Sequence, residues 1–320
     1  MPIFLLKRFA IFVATLAVAS VVVFALLDVL PGSAADVMLG ETATPEAVQA
    51  LKAKLGLDRP VLVRYARWVQ GLVVGDFGTS VSYETPVAEL IAERLAVTAP
   101  LALLAMLLTT VLALSLGLYA ASRHNRLGDV GVMAASQVGM AIPNFWFAIL
   151  LVLVFAVKLR WFSAGGFPGW HADDGGGVWP ALKALLLPAL ALAVVQAAIL
   201  ARITRSAVLD VLRDDFVRTA RAKGLSERAV LWRHVLRNAF VPVLTVMGLQ
   251  FANLLTGTIV VENVFSLPGL GRLVFQAISN RDVIVVQAIV MLLAAAVITL
   301  NFVVDLLYAV IDPRLKVGSA

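Results

Sequence analysis

Six stretches of this 320-residue chain carry no charged side chain: residues 9–27, 95–122, 130–157, 184–201, 239–261 and 283–304. A helix needs roughly 20 mainly apolar residues to cross the hydrocarbon core of a bilayer. Inside that core every backbone polar group must be satisfied by the protein itself, which leaves only helices and closed barrels. Barrel strands are short and alternate in polarity, and none of these runs alternates. The runs therefore predict an all-α membrane protein with six transmembrane helices. Composition agrees, with 61% hydrophobic and 14% charged residues against about 45–50% and about 25% in soluble domains.

The charges set the orientation. Lys7 and Arg8 precede the first run, and Arg123 and Arg126 follow the second. Nine Lys or Arg lie from Arg202 to Arg237 after the fourth, and Arg314 and Lys316 close the chain. Lys and Arg gather on the cytoplasmic side of membrane proteins, so both termini are expected in the cytoplasm. The net charge of +6 follows from this asymmetry and calls for no nucleic acid. The chain has no Cys, which excludes disulfides, thiol catalysis and thiolate-bound metal. A signal peptide is the other reading of the first run, with Gly32, Ser33 and Ala34 as a loose cleavage site. A signal core spans about 7–15 residues, however, and this run is longer.

The expected organisation is residues 1–30 as the N-terminus and first span, 31–95 as a small helical extracytoplasmic subdomain, 96–310 as a five-span core and 311–320 as a cytoplasmic tail. Within the core, spans are expected near 97–121, 130–157, 180–202, 239–261 and 283–308, with a cytoplasmic loop at 203–238. Thr44-Pro45, Arg59-Pro60 and Thr85-Pro86 each mark a helix start in or at the end of the outer segment, because proline suits the first helical turn. The first of these helices should end near Gly56, and Gly75 and Gly78 form the turn between the other two. Residues 159–179, rich in glycine, read as an irregular outer loop. After Glu262, which ends the fifth run, Pro268 and Gly269 occupy the positions a type II turn prefers. A short helix containing Gly271 is expected from about Leu270 to Ser279.

Much chemistry is missing. No GxxxxGK[ST] cradle for phosphates is present, nor an HExxH metal pair or a GxSxG nucleophile elbow. His124, His171 and His234 are far apart in the sequence. No catalytic residue, metal or cofactor is expected. Carriers driven by ion gradients keep ionisable groups deep in the membrane, whereas the polar residues inside these runs are amides: Gln137, Asn144, Gln196, Gln250, Asn253, Gln287 and Asn301. Such amides bond one helix to another or line a pathway. Gln137, Pro143, Asn144, Gln250 and Asn253 are the pathway candidates. A gradient-driven carrier or a self-contained channel is the rival class.

The basic loop is more specific. Leu209, Leu212, Phe216 and Ala220 recur at helical spacing, which predicts a first cytoplasmic helix with one apolar stripe. Gly224 ends it as a residue free to take positive φ, and Ser226 with Glu227 caps a second helix running toward Asn238. A plain topological anchor needs the charge but not the capped corner. Ala220, Ala222 and Gly224 keep that corner slim, while Arg218, Arg221 and Lys223 surround it with groups that pair with carboxylates. The pattern suits docking into a groove on a partner protein.

The stretch "RTARAKGLSERAVLWRHVLRNAFVPVLT", with "ENVFSLPGLGRL", "RDVIVVQ", "LGLDRPVLVRYARWV", "GDFGTS" and "IDPRL", resembles the permease subunits of ATP-binding cassette (ABC) importers. Within them it resembles the dipeptide, oligopeptide and nickel group, over nearly the whole chain. Arg218, Thr219 and Ala220 stand where the general cytoplasmic motif has Glu-Ala-Ala, and Pro242 comes later after the glycine than usual; the peptide group shares both departures. "RDVIVVQ" lacks a proline often found in that segment. The resemblance implies the type I importer permease fold in the inner membrane, with Arg218, Thr219, Ala220, Arg221, Ala222, Lys223, Gly224 and Leu225 coupling to an ATPase. It also implies a second, homologous permease subunit, two cytoplasmic ATPases that drive it, and a periplasmic or lipid-anchored solute-binding protein. The implied substrate is a short peptide, with nickel chelates, opines or glutathione as alternatives. Glu262, Pro268, Gly269 and Gly271 would form the periplasmic turn before the last span.

Overall fold

The structure, a computed structural model, describes residues 2–29, 39, 44–54, 56 and 58–311. The tail from residue 312, with Arg314 and Lys316, and the Gly32–Ala34 segment lie outside the described residues. The helices are α1 Pro2–Val29, α2 Pro45–Lys54, α3 Val61–Val74, α4 Val87–Ser122, α5 Leu127–Ala141, α6 Asn144–Lys158, α7 Val178–Val211, α8 Asp215–Ala222, α9 Glu227–Val264, α10 Leu270–Ser279 and α11 Val283–Ile311. Among the described residues the only extended pairing is one bridge between Thr79 and Pro86. Among the described residues five helices are long and apolar enough to cross a membrane, and α5 with α6 makes a sixth if the bent pair is one span.

The chain divides into two compact units, one of residues 99–267 and 300 onward, the other of residues 2–98 and 268–299. In the first, α7 is the spine, packed by α5, α6 and α9. Half of its buried residues are alanine, among them Ala189, Ala193, Ala197 and Ala201. Such residues let helix backbones approach closely, which is how helices gain packing energy where lipid offers no hydrophobic drive. Gly117 of α4 shows the closeness: a Cβ there would meet Thr204 Cβ at 2.6 Å.

The third run is not a straight span. Helices α5 and α6 meet at 103°, because Pro143 supplies no N–H and forces the residue before it out of helical geometry. Ile142 is accordingly extended, with φ −87° and ψ 123°. The fifth run, residues 239–261, does not stand as a helix of its own. It is the C-terminal part of α9, a continuous helix of 38 residues that passes through a π-helical stretch at Val230–Val235. No separate second loop helix exists, since the residues from Glu227 to Val241 contain neither Gly nor Pro.

In the other unit, the hydroxyls of Ser20 and Tyr65 share a 2.7 Å hydrogen bond, and Phe24 packs on the rings of Tyr65 and Trp68. Val87, Leu90 and Ile91 of α4 share a core with Leu270, Leu273 and Ala277 of α10 and Val285 and Ile289 of α11. Asp282 is buried, at 1% exposure. Its carboxylate accepts the Ser80 hydroxyl at 2.5 Å, the Ser82 N–H at 3.1 Å and, as the cap of α11, the Val285 N–H at 3.3 Å. "GDFGTS" and "RDVIVVQ" are thus two halves of one device.

The expected type II turn does not form. Gly269 has φ −104° and ψ −177°, extended backbone that leads into α10. The left-handed residue is Ser266, with φ 50°, and it closes α9 through the Leu267 N–H bonded to the Glu262 carbonyl at 2.9 Å. This left-handed closure is complete before Pro268. Glu262 itself is fully buried and Gly271 lies in the first turn of α10.

Candidate functional site

The basic loop folds into a closed corner. Helix α7 stops at Val211, and after a break Asp214 leads into α8. The first loop helix is therefore shorter than the sequence periodicity suggests. Its buried residues are Val217 and Ala220, which join a core with Val208, Val230 and Val235, while Phe216 is 40% exposed. At the far end Gly224 takes φ +79°. The Leu225 N–H reaches the Ala220 carbonyl at 3.3 Å and the Gly224 N–H reaches Arg221 at 2.9 Å, the paired bonds that satisfy a helix C-terminus around a left-handed residue. Ser226 Oγ then accepts the Ala229 N–H at 3.3 Å and opens α9.

Arg218, Thr219, Arg221, Ala222, Lys223 and Gly224 are exposed on this corner; Leu225 is half-buried and Ala220 is buried. Arg221 is engaged within the chain, its Nε 3.0 Å from Glu227 Oε1 and its Nη2 3.1 Å from Oε2. Arg218 stands 3.4 Å from Asp215 with both side chains largely exposed, a geometry that contributes little. A Cβ placed on Gly224 would have nothing within 4 Å. The corner is packed behind and open in front.

The amides do not form one cluster. Gln250 is buried, its Nε2 directed at the Gln196 carbonyl at 3.5 Å, which joins α9 to α7. Asn253 donates to the Gln250 side chain at 3.4 Å yet lies largely exposed. Asn144, half-buried, sits beside Gly257, where a Cβ would lie 3.5 Å from its Nδ2. Gln137 and Pro143 are exposed on α5 and at its break.

Residues 113–317 match the family described as binding-protein-dependent transport system inner membrane component, and residues 1–102 match that family's N-terminal region. The chain belongs to this family. It is a membrane permease component of a transport system that depends on a binding protein. A protein of Brucella abortus (strain 2308), provisionally named a peptide transport system permease, is 42% identical over 99% of each chain. The dipeptide transport system permease of Alkalihalophilus pseudofirmus is 37% identical over 97% of this chain and 98% of its own. An inward-facing structure of the MetNI methionine ABC transporter aligns with 70% of this chain and 96% of its own, at TM-score 0.55 and 16% identity. At that identity the likeness carries the fold, that of an ABC transporter permease.

A buried ion pair in this permease is marked by no local sequence motif. Asp129, at 2% exposure, holds Arg205 in a two-pronged pair, Nε to Oδ1 at 2.5 Å and Nη2 to Oδ2 at 2.7 Å. The Asn125 N–H adds a bond to Oδ2 at 2.9 Å, and His124 Nδ1 lies 3.1 Å from Arg205 Nη2. This clamp fixes the start of α5 to the part of α7 that leads into α8. The available signal was that Asp129 is the only Asp or Glu between Glu93 and Asp173.

Proposed function

We propose that the chain is one permease half of an ATP-driven ABC importer of short peptides. It pairs with a second, homologous permease to form the pathway, and two ATPases drive it from the cytoplasm. A periplasmic or lipid-anchored binding protein delivers the substrate. The observation that carries the mechanism is the α8 corner: a bond-closed, basic, slim projection that is open in front and backed by core residues of α7 and α9. A projection of this kind transmits displacement of an ATPase cleft to the membrane helices, and the permease answers by switching between inward-open and outward-open packings. Arg218 to Leu225 are the coupling residues in this reading, and Asn144 and Asn253 the pathway residues. Gln250 serves mainly to bond α9 to α7.

In the proposed topology both termini, the 123–126 turn and the α8 corner face the cytoplasm, and residues 31–86 face outward. Peptide is favoured as substrate because relatives matching nearly the full chain are named for peptide or dipeptide transport. The test is reconstitution of the full complex with its binding protein. Expected is ATP-dependent uptake of labelled dipeptides and short oligopeptides. Uptake without ATPase subunits would defeat the coupling reading, and uptake of a nickel chelate but no peptide would defeat the substrate reading.

A further inference from the structure

Helix α3 presents three chemically distinct sides. Tyr65 and Trp68 pack on α1. Arg64 and Arg67 face a cavity of about 340 Å³ that Arg59, Phe24 and Trp68 also line. Leu62, Ala66, Val69 and Val73 follow at spacings of four, three and four, with Leu62 80% and Val73 82% exposed. The helix carries no acid. Among the described residues lining the cavity the only carboxylate is Asp76, whose Oδ1 already accepts the Gly78 N–H at 2.9 Å.

We propose that this cavity holds the phosphate headgroup of an anionic phospholipid and that α3 lies in the membrane interface with its Leu62–Val73 strip turned into the lipid. Guanidinium groups are the side chains best matched to phosphate oxygens, and Arg59, Arg64 and Arg67 all line this cavity. A lipid rather than a soluble anion follows from the setting. Phe24 belongs to the apolar stretch Leu5–Leu26, which is long enough to span a membrane. The neighbouring side chains Val21, Val22 and Leu26 are exposed on α1, a surface that in a membrane meets acyl chains. The Ser20–Tyr65 bond holds α3 beside that same surface. Tryptophan collects at headgroup level, and a helix with an apolar strip flanked by arginine lies in the interface plane. The Arg64 guanidinium carbon lies over the Phe24 ring, 5.9 Å from its centre, a cation–π contact on the cavity wall. On the topology proposed above, the headgroup belongs to the outer leaflet.

The test uses the full-length permease in its complex. Arg59 and Arg67 are exposed, so Arg59→Gln with Arg67→Gln removes charge without disturbing packing. Native mass spectrometry after delipidation reads retention of phosphatidylglycerol against phosphatidylcholine. Each basic group near an anionic lipid surface is worth a factor of about five, so the double variant should lose about 25-fold of the preference. Equal retention by wild type and variant overturns the proposal. Displacement of the lipid by millimolar inorganic phosphate also overturns it, by giving the cavity to a soluble anion. Independently, Leu62→Cys and Val73→Cys in this Cys-free chain can carry a fluorophore, with Leu26→Cys as the lipid reference and Glu46→Cys as the aqueous one. Quenching of positions 62 and 73 by nitroxide-bearing lipid, as at position 26, is expected. Quenching by a water-soluble agent to the extent seen at position 46 refutes the interfacial placement.

Discussion

Replacing Gly224 by Asp separates the cost to this chain from the cost to its partner. Within the chain the cost is small, because a Cβ at Gly224 meets nothing within 4 Å. What remains is the backbone: a non-glycine residue at φ +79° costs roughly 1–2 kcal/mol, and Asp sits at the tolerant end of that range. Folding and membrane insertion should therefore stay near normal. Docking is another matter if the corner enters an acidic cleft. A carboxylate about 6 Å from one of the partner's, at an effective dielectric of about 20, is repelled by about 2.8 kcal/mol, or roughly a hundredfold in affinity. Gly224→Asn has nearly the same shape and backbone cost without the charge, and Gly224→Ala removes the long side chain as well. ATPase binding to the permease in nanodiscs, read beside peptide uptake, should place Asp well below Asn and Ala, with transport abolished. Raising the salt should recover part of the Asp loss through screening. A Gly224→Asp complex that keeps its ATPases and imports at the wild-type rate would refute the docking role and leave the loop as a topological anchor. Equal defects in all three variants would refute the charge argument.

Topology is tested by single cysteines: positions 52 and 173 should react with an impermeant thiol reagent in intact cells, and positions 126 and 223 should not. Asn144→Leu and Asn253→Leu should lower uptake with the complex intact, and loss of assembly in a pull-down would convert both into packing residues. Gln250→Leu should instead weaken the α7–α9 contact, lowering thermal stability more than either asparagine change. Asp129→Asn leaves Arg205 without its ionic partner; a fully buried pair costs about 3–5 kcal/mol to break, and because Arg205 is 20% exposed the expected loss is smaller than that, while an unchanged melting temperature would count against the clamp. Arg228→Ala, exposed and removed from the corner, should leave transport within about twofold of wild type.

The helix starts at Pro45, Val61 and Val87, the left-handed Gly224 and the cap at Ser226 were legible because each is written in one or two adjacent residues. What escaped the sequence was set by tertiary context. The 103° break at Pro143 could be suspected but not decided, since Pro100, Pro188 and Pro242 lie inside helices that continue through them. The continuity of α9 was hidden because a capped start at Ser226 gives no information on where the helix ends. The Asp129–Arg205 clamp joins residues 76 apart, and nothing local to either marks the other. Arg205 lies among the basic residues that follow the fourth run, yet its charge is spent inside the chain.

The Asp282 carboxylate also gives the protein a clock. Its partner Ser80 precedes it by 202 residues, and a ribosome adding about 5–20 residues per second needs roughly 10–40 s to cover that distance. For that interval the turn at residues 79–86 exists without the acid that ties it down, while the intervening helices are already entering the membrane. The tie can close only after residue 282 has been made, so it reports that synthesis has reached the final helix. A chain cut short before residue 282 would leave Ser80 and the Ser82 N–H without their acceptor, and protease cleavage near residue 82 would distinguish finished from unfinished molecules.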